Sequence, residues 1–469
     1  MQLEGDKREV AVVPKPINMA LETFLAAIDI IRRTANYVVP KTASWAREEL
    51  DKKYARIEKF EKHASEDGTS FTLASAHETA ELLAAVSDIH EFRPVQMLET
   101  LDRSLFTQMF AEFDSFTGAL LTAIYTNKAD LLKGVSREVS LSELLEFDSL
   151  EAVKLNMLEK EIENFRRDSY SEQFATLEKK FGFKTLKDFP EWGEFIELSQ
   201  RRNLLTHNGG RVSEQYLLVC DREGYAFKNR PSLGEILGVN GEYRSRAIVV
   251  LSKVGFMLAH TLWRKVFPHE VDVQAEAMNQ TIYSMLEKKR WSTAAELSGF
   301  SLSEPMRKGV SEIRLRARIV NCAIALKFSG KHADAIRLIE NFDWTATYRD
   351  FKLAVAVLND DFTAAAQFMR EIGKTGEMVN EVAYHQWPLF HKFRESEEFQ
   401  NSYQEVYGVS FRSKVAADVA EARILQDQHP SQQVDASEDT KIAAKTRRTR
   451  KKGVSSTSKG GDEGVAQVV

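Results

Sequence analysis

Arg201, Arg202, Asn203 and His207 fall in one short stretch, ELSQRRNLLTHNGG, at residues 197–210. These residue types suit one kind of chemistry. Cutting an RNA chain without a metal needs a group that takes the proton of the 2′-hydroxyl and donors that stabilise a five-coordinate phosphorus. Imidazole, which titrates near neutrality, suits the first task. Guanidinium, a fork-shaped cation, suits the second. Asn203 could hold an orienting hydrogen bond. Five positions on a regular helix turn through about 140° and advance about 7 Å, so a straight helix does not put Arg202 and His207 on one face. Unwinding at Asn208-Gly209, a left-handed terminator, would bring them together. So would a second copy of the helix across a symmetric dimer. A structural reading competes: His⁺ in a last helical turn interacts favourably with the helix dipole, by about 0.3–1 kcal/mol at exposed sites, and arginines there do the same.

The elements that must position these residues read as helices throughout, and the fold class expected is all-α. The first block, residues 1–92, opens with an arm to about residue 17. Helical spacing follows in NMALETFLAAIDIIRRTANYV and continues through SWAREELDKKYARIEKFEKHA, where Glu48 precedes Lys52 and Glu58 precedes Lys62 by four. SEDGTS is a break, and another helix runs to Arg93-Pro94. The second block, 93–268, contains Phe106, Phe110, Phe113 and Phe116 at the spacing of a core helix in a bundle. Its segment VSEQYLLVCDREGYAFKNRPSLGEILGVNGEY reads as irregular, with short extended pieces. In the third block, 269–412, Trp291, His332 and Phe362 align, each followed three residues later by Ala294, Ala335 or Ala365. Units of this kind, helix, polar turn and small-residue helix, describe a helical solenoid offering a surface to a protein partner. The block resembles degenerate tetratricopeptide repeats. Residues 413–469 read as a disordered tail whose KIAAKTRRTRKK carries seven basic residues and no acid, suited to RNA or to simple solvation.

RNLLTHNGG, with Tyr216-Leu217 soon after, resembles the motif of the HEPN superfamily, an arginine, a polar residue and a histidine a few positions on. FAEFDSFTGALLTAIYTNKADLL resembles the first long helices of the same proteins, and the likeness spans about 94–268. It implies an all-α bundle that dimerises, with Arg202, Asn203 and His207 as catalytic residues, His207 as general base or acid and Arg202 as transition-state clamp. The function implied is metal-independent endoribonuclease, acting on RNA as a toxin or antiviral-defence effector. Members without cleavage activity are RNA-binding or dimerisation modules, and a silent bundle within an interaction scaffold is the alternative. Arg201 and Arg211 are candidate phosphate contacts.

Composition bounds the rest. Hydrophobic residues at 43% and charged residues at 28% describe a globular chain, and a net charge of −5 makes any attraction for polyanions local. Two distant cysteines, Cys220 and Cys322, fit a reduced compartment and exclude a cysteine zinc cage. With no apolar leader and no apolar run approaching membrane-spanning length, a cytoplasmic protein without membrane contact is expected. No P-loop, dinucleotide fingerprint, GxSxG or HExxH occurs. His77, His90, His385 and His391 lack ligand spacing, so neither cofactor nor metal is expected.

Overall fold

The computed structural model describes residues 15–65, 68–72, 75–128, 130–131 and 140–415. The N-terminal arm up to residue 14 and the basic tail lie outside the described residues. Among the described residues the architecture is helical, with one β-hairpin. In order come α1 (Pro16–Ile57), β1 (Glu61–Ser65), β2 (Gly68–Thr72), α2 (Ala76–Glu91), α3 (Pro94–Asn127), α4 (Leu141–Leu144) and α5 (Leu150–Arg167). Next are α6 (Tyr170–Phe181), α7 (Trp192–His207), α8 (Glu214–Arg222) and α9 (Gly241–Val266). The remainder is α10 (Val271–Glu287), α11 (Trp291–Ser301), α12 (Glu304–Arg307), α13 (Glu312–Phe328), α14 (His332–Glu340), α15 (Arg349–Leu358), α16 (Phe362–Ile372), α17 (Glu381–Gln386) and α18 (Glu397–Tyr407). Compactness divides the chain after Arg394. In the shorter unit, Phe399 and Tyr403 of α18 each meet the Phe411 ring at 5.1 Å.

α3 is the core helix that its phenylalanine spacing predicts. Phe106, Phe110, Phe113 and Phe116 are all buried. Phe113 is the hub, with its ring 5.7 Å from Phe24 of α1, 5.5 Å from Tyr170 of α6 and 5.5 Å from Phe195 of α7. α1 therefore packs along α3, and also against α9. The approach to α9 is close: a Cβ on Gly255 would meet Phe24 Cε1 at 2.6 Å, so only glycine serves there.

Among the described residues, α9 is the one helix long and apolar enough by composition to cross a membrane, although no single uninterrupted apolar run announces it. Most of it is buried within the protein, and it carries Arg244, Lys253, His260 and Arg264, as befits a central core helix.

Two further segments differ from their sequence reading. The first helix ends at Ile57 instead of running through Ala64, and Glu61–Ser65 pairs antiparallel with Gly68–Thr72, Lys62 opposite Phe71 and Ala64 opposite Thr69. Charge spacing across Glu58 and Lys62 mimics a helix, but Thr69, Phe71 and Thr72 favour strand. The segment after α7 holds a helix, α8, capped by Ser213, whose hydroxyl accepts from Tyr216 N at 3.2 Å. Its buried face, Tyr216 and Cys220, lies at i and i+4. The extended character expected there is confined to pairing of 210–212 with 234–237, including Val212 N donating to Glu235 O at 2.9 Å.

α10–α11, α13–α14 and α15–α16 are helix hairpins. Trp291, His332 and Phe362 each begin the second helix of a pair, and Ala294, Ala335 and Ala365 are buried at the crossings. The turns repeat as well. Lys289, Gly330 and Asp360 each take positive φ. The next residue then donates its N–H five residues back, Arg290 to Met285, Lys331 to Leu326 and Asp361 to Ala356, at 2.8–2.9 Å.

Candidate functional site

α7 is anchored by Glu197, which is 1% exposed. Its carboxylate accepts from Tyr216 OH at 2.7 Å, Tyr243 OH at 2.6 Å and Arg201 Nε at 3.0 Å, so α8 and α9 are pinned to α7. A buried carboxylate is tolerable only with such partners. Burial, and then the Glu197 charge, push both phenols above their ordinary range. Arg201 is thereby assigned. It donates further to Gly238 O at 3.1 Å and lies 4.6 Å from the Tyr243 ring.

Arg202 faces the other way, into a cleft of about 600 Å³. α3 contributes Asp114 to this cleft, the end of α5 gives Arg166 and Arg167, and the start of α6 gives Ser169, Tyr170 and Gln173. α7 adds Ser199, Gln200, Arg202, Asn203 and His207. The three residues read as catalytic thus share one polar cleft, and Arg201 and Arg211 do not line it. Arg211 sits in the extended pairing instead, with its Nη1 3.5 Å from Gly234 O. The cleft is wide enough to wrap the end of α7, which is how side chains 140° apart reach the same space without the helix unwinding before His207.

Arg202 is oriented by a small network. Its Nη2 lies 3.4 Å from Tyr170 OH and 3.6 Å from Asp114 Oδ2, and Tyr170 OH donates to Asp114 Oδ1 at 2.5 Å. The guanidinium carbon stands 5.6 Å from the Phe110 ring centre and 6.0 Å from that of Tyr170. Its Nε is buried with no hydrogen-bond partner among the described residues. Burial raises the Asp114 carboxyl above its ordinary value, against the opposing pull of Tyr170 and Arg202. The Tyr170 hydroxyl is raised by burial and by Asp114, so it stays a protonated donor. Tyr170 is set in place by a capping box at the start of α6, Ser169 with Glu172.

His207 is the exposed last residue of α7, and its imidazole makes no hydrogen bond among the described residues. The helix end is closed by backbone. Asn208 N and Gly210 N both donate to Leu204 O, at 2.8 and 3.0 Å, and Asn208 Nδ2 donates to Arg211 O at 2.7 Å. Gly209 and Gly210 take φ of +57° and +80°, and a Cβ on Gly210 would meet Leu237 O at 2.6 Å. The terminator is therefore Asn208-Gly209-Gly210, and the imidazole is left over from it.

The sequence reading missed Asp114, Tyr170, Arg166 and Arg167. The FRRDSY run, basic residues ending one helix just before the Ser–Glu capping box of the next, is the local signal that points to three of them. Comparison with protein-family models, curated proteins and solved structures gives no match.

Proposed function

We propose that the chain is a metal-independent endoribonuclease of the HEPN type, working as a homodimer on RNA in the cytoplasm as a toxin or defence effector. The observation that carries this reading is that Arg202, Asn203 and His207 line one cleft, with Arg166 and Arg167 alongside. In the proposed reaction an imidazole of His207 takes the 2′-hydroxyl proton. The 2′-oxygen attacks the adjacent phosphorus, and the bond to the 5′-oxygen breaks as that oxygen gains a proton. The products are a 2′,3′-cyclic phosphate and a 5′-hydroxyl. One imidazole per chain supplies base or acid, and a second copy supplies the other. Arg202, pre-oriented by Asp114 and Tyr170, meets the charge that develops on the phosphorane.

A second reading, a catalytically silent RNA-binding or dimerisation module, draws on the Asp114 carboxylate already facing Arg202. Overexpression in cells separates the two. Growth arrest that His207→Ala abolishes supports the nuclease, and arrest that persists at equal expression of the variant contradicts it.

A further inference from the structure

Three arginines line the α7 cleft, against two aspartates, Asp114 and Asp168. Two of the arginines are already engaged. Arg202 is held by Asp114 and Tyr170. Arg167, in the last turn of α5, pairs with Glu163 one turn back. Arg166 is exposed and makes no ion pair among the described residues, although Asp114 feels its charge. A cation in the last turn also suits the dipole of α5, but Arg167 beside it serves that purpose equally well.

Contacts with α3 place Arg166 relative to Arg202. The Arg166 side chain lies across Gly118, where a Cβ would stand 3.6 Å from its Cδ and 3.6 Å from its Nη1. Gly118 follows Asp114 by one turn on the same face of α3, about 6 Å along the helix. Arg202 reaches Asp114 itself, its Nη2 3.6 Å from Oδ2. The two guanidinium groups therefore meet α3 one turn apart, in one cleft. Each is a fork that matches the oxygens of a phosphate. Such a pair suits neighbouring phosphates of one strand. Only 25% of the Arg202 side chain is exposed, so a phosphate must bend inward to meet it. An unpaired strand can do so without breaking base pairs. We propose that Arg166 binds the phosphate next to the cleaved one in a single-stranded RNA. It is a positioning residue, holding the strand while Arg202 meets the reacting phosphate. The proposal rests on the reading of the α7 cleft as an RNA site.

The test is fluorescence anisotropy of the full-length protein with short labelled RNAs, 2′-O-methylated throughout, between about 50 and about 200 mM salt. Without the 2′-hydroxyl nucleophile the strand stays intact, so binding is read whether or not the chain cuts RNA. Wild type should bind single strands more tightly than hairpin duplexes with equal numbers of phosphates. Arg166→Ala should weaken single-strand binding about tenfold, the worth of one charge-assisted contact. It should also flatten the slope of log affinity against log salt by about 0.7, equally for oligo(A), oligo(C) and oligo(U). Arg166→Lys, which keeps the charge, should keep the slope. Both variants should melt with wild type, since the side chain is exposed. Wild type that shows this pattern but cuts no unmethylated RNA supports the phosphate contact and contradicts the nuclease. Affinity and slope unchanged in Arg166→Ala, or a duplex bound as tightly as a single strand, would overturn the proposal and leave the nuclease to its own test. Absence of binding at the lowest salt would overturn both.

Discussion

His260 is wholly enclosed in α9, its ring stacked 6.0 Å from Trp263 and set edge-on 4.5 Å from Phe256. Neither ring nitrogen has a hydrogen-bond partner among the described residues. Burial, helped by the charges of Arg318 and Arg264, pushes its pKa down to about 3. In the unfolded chain the same imidazole titrates near 6.5, so below that pH the unfolded state takes up a proton that the fold refuses. Stability therefore falls as pH drops from about 6.5 toward about 3, by up to about 1.4 kcal/mol per pH unit from this group. His260→Leu removes that slope, and urea melts at pH 7.5, 6 and 5 should show the variant losing less than wild type. Parallel losses would contradict this account of His260. At this scale the sequence was legible where partners are neighbours. Arg202, Asn203 and His207 stand within six positions, and the Glu197–Arg201 pair lies at i,i+4. Asp114 was not legible, because nothing local marks one carboxylate of α3 as the partner of an arginine on α7.

The helix hairpins show what an element can demand of one residue. Lys289 closes α10 with φ of +54°, in a conformation that costs an L-residue about 1–2 kcal/mol and glycine much less. Its side chain is exposed, so Lys289→Gly removes little contact. The variant should gain about 0.5–1 kcal/mol in denaturant unfolding, and a loss would mean that the turn is not strained. Gly330 occupies the equivalent place in the next hairpin. The periodicity of α3, α7 and the hairpins was readable because one apolar stripe faces a core. The β-hairpin was not, since an i,i+4 charge pattern is equally compatible with a short strand. α8 escaped notice because nine residues hold too few turns for a period to assert itself.

Over the whole molecule, the N-terminal helix is tied to the hairpin block by chemistry that no window of sequence reveals. Arg290, just before α11, donates to Asp29 of α1 at 2.7 Å across 261 positions, and both side chains are buried. Asp29 also holds Arg32 and Arg33. Burial works against its charge, but the neighbouring arginines keep the carboxyl below its ordinary value. Asp29→Ala strands the Arg290 charge in the interior, and the expected cost is about 3–5 kcal/mol of unfolding free energy. Hydrogen exchange should show the loss of protection in α1 and α11 together. Loss confined to α1 would mean that the pair does not couple them. Three blocks can be read along the chain, but how α1 joins α3, α9 and Arg290 is settled by packing.

The most direct test of the central claim is the single-turnover rate of RNA cleavage by the purified full-length protein in EDTA, for wild type, Arg202→Ala and His207→Ala. Wild type should leave 2′,3′-cyclic phosphate ends, and each variant, folded as wild type, should be slower by about 10²–10⁴-fold, the usual worth of a general base or an electrostatic clamp. Cleavage at equal rates by all three would contradict it and return His207 to the role of a helix-end residue.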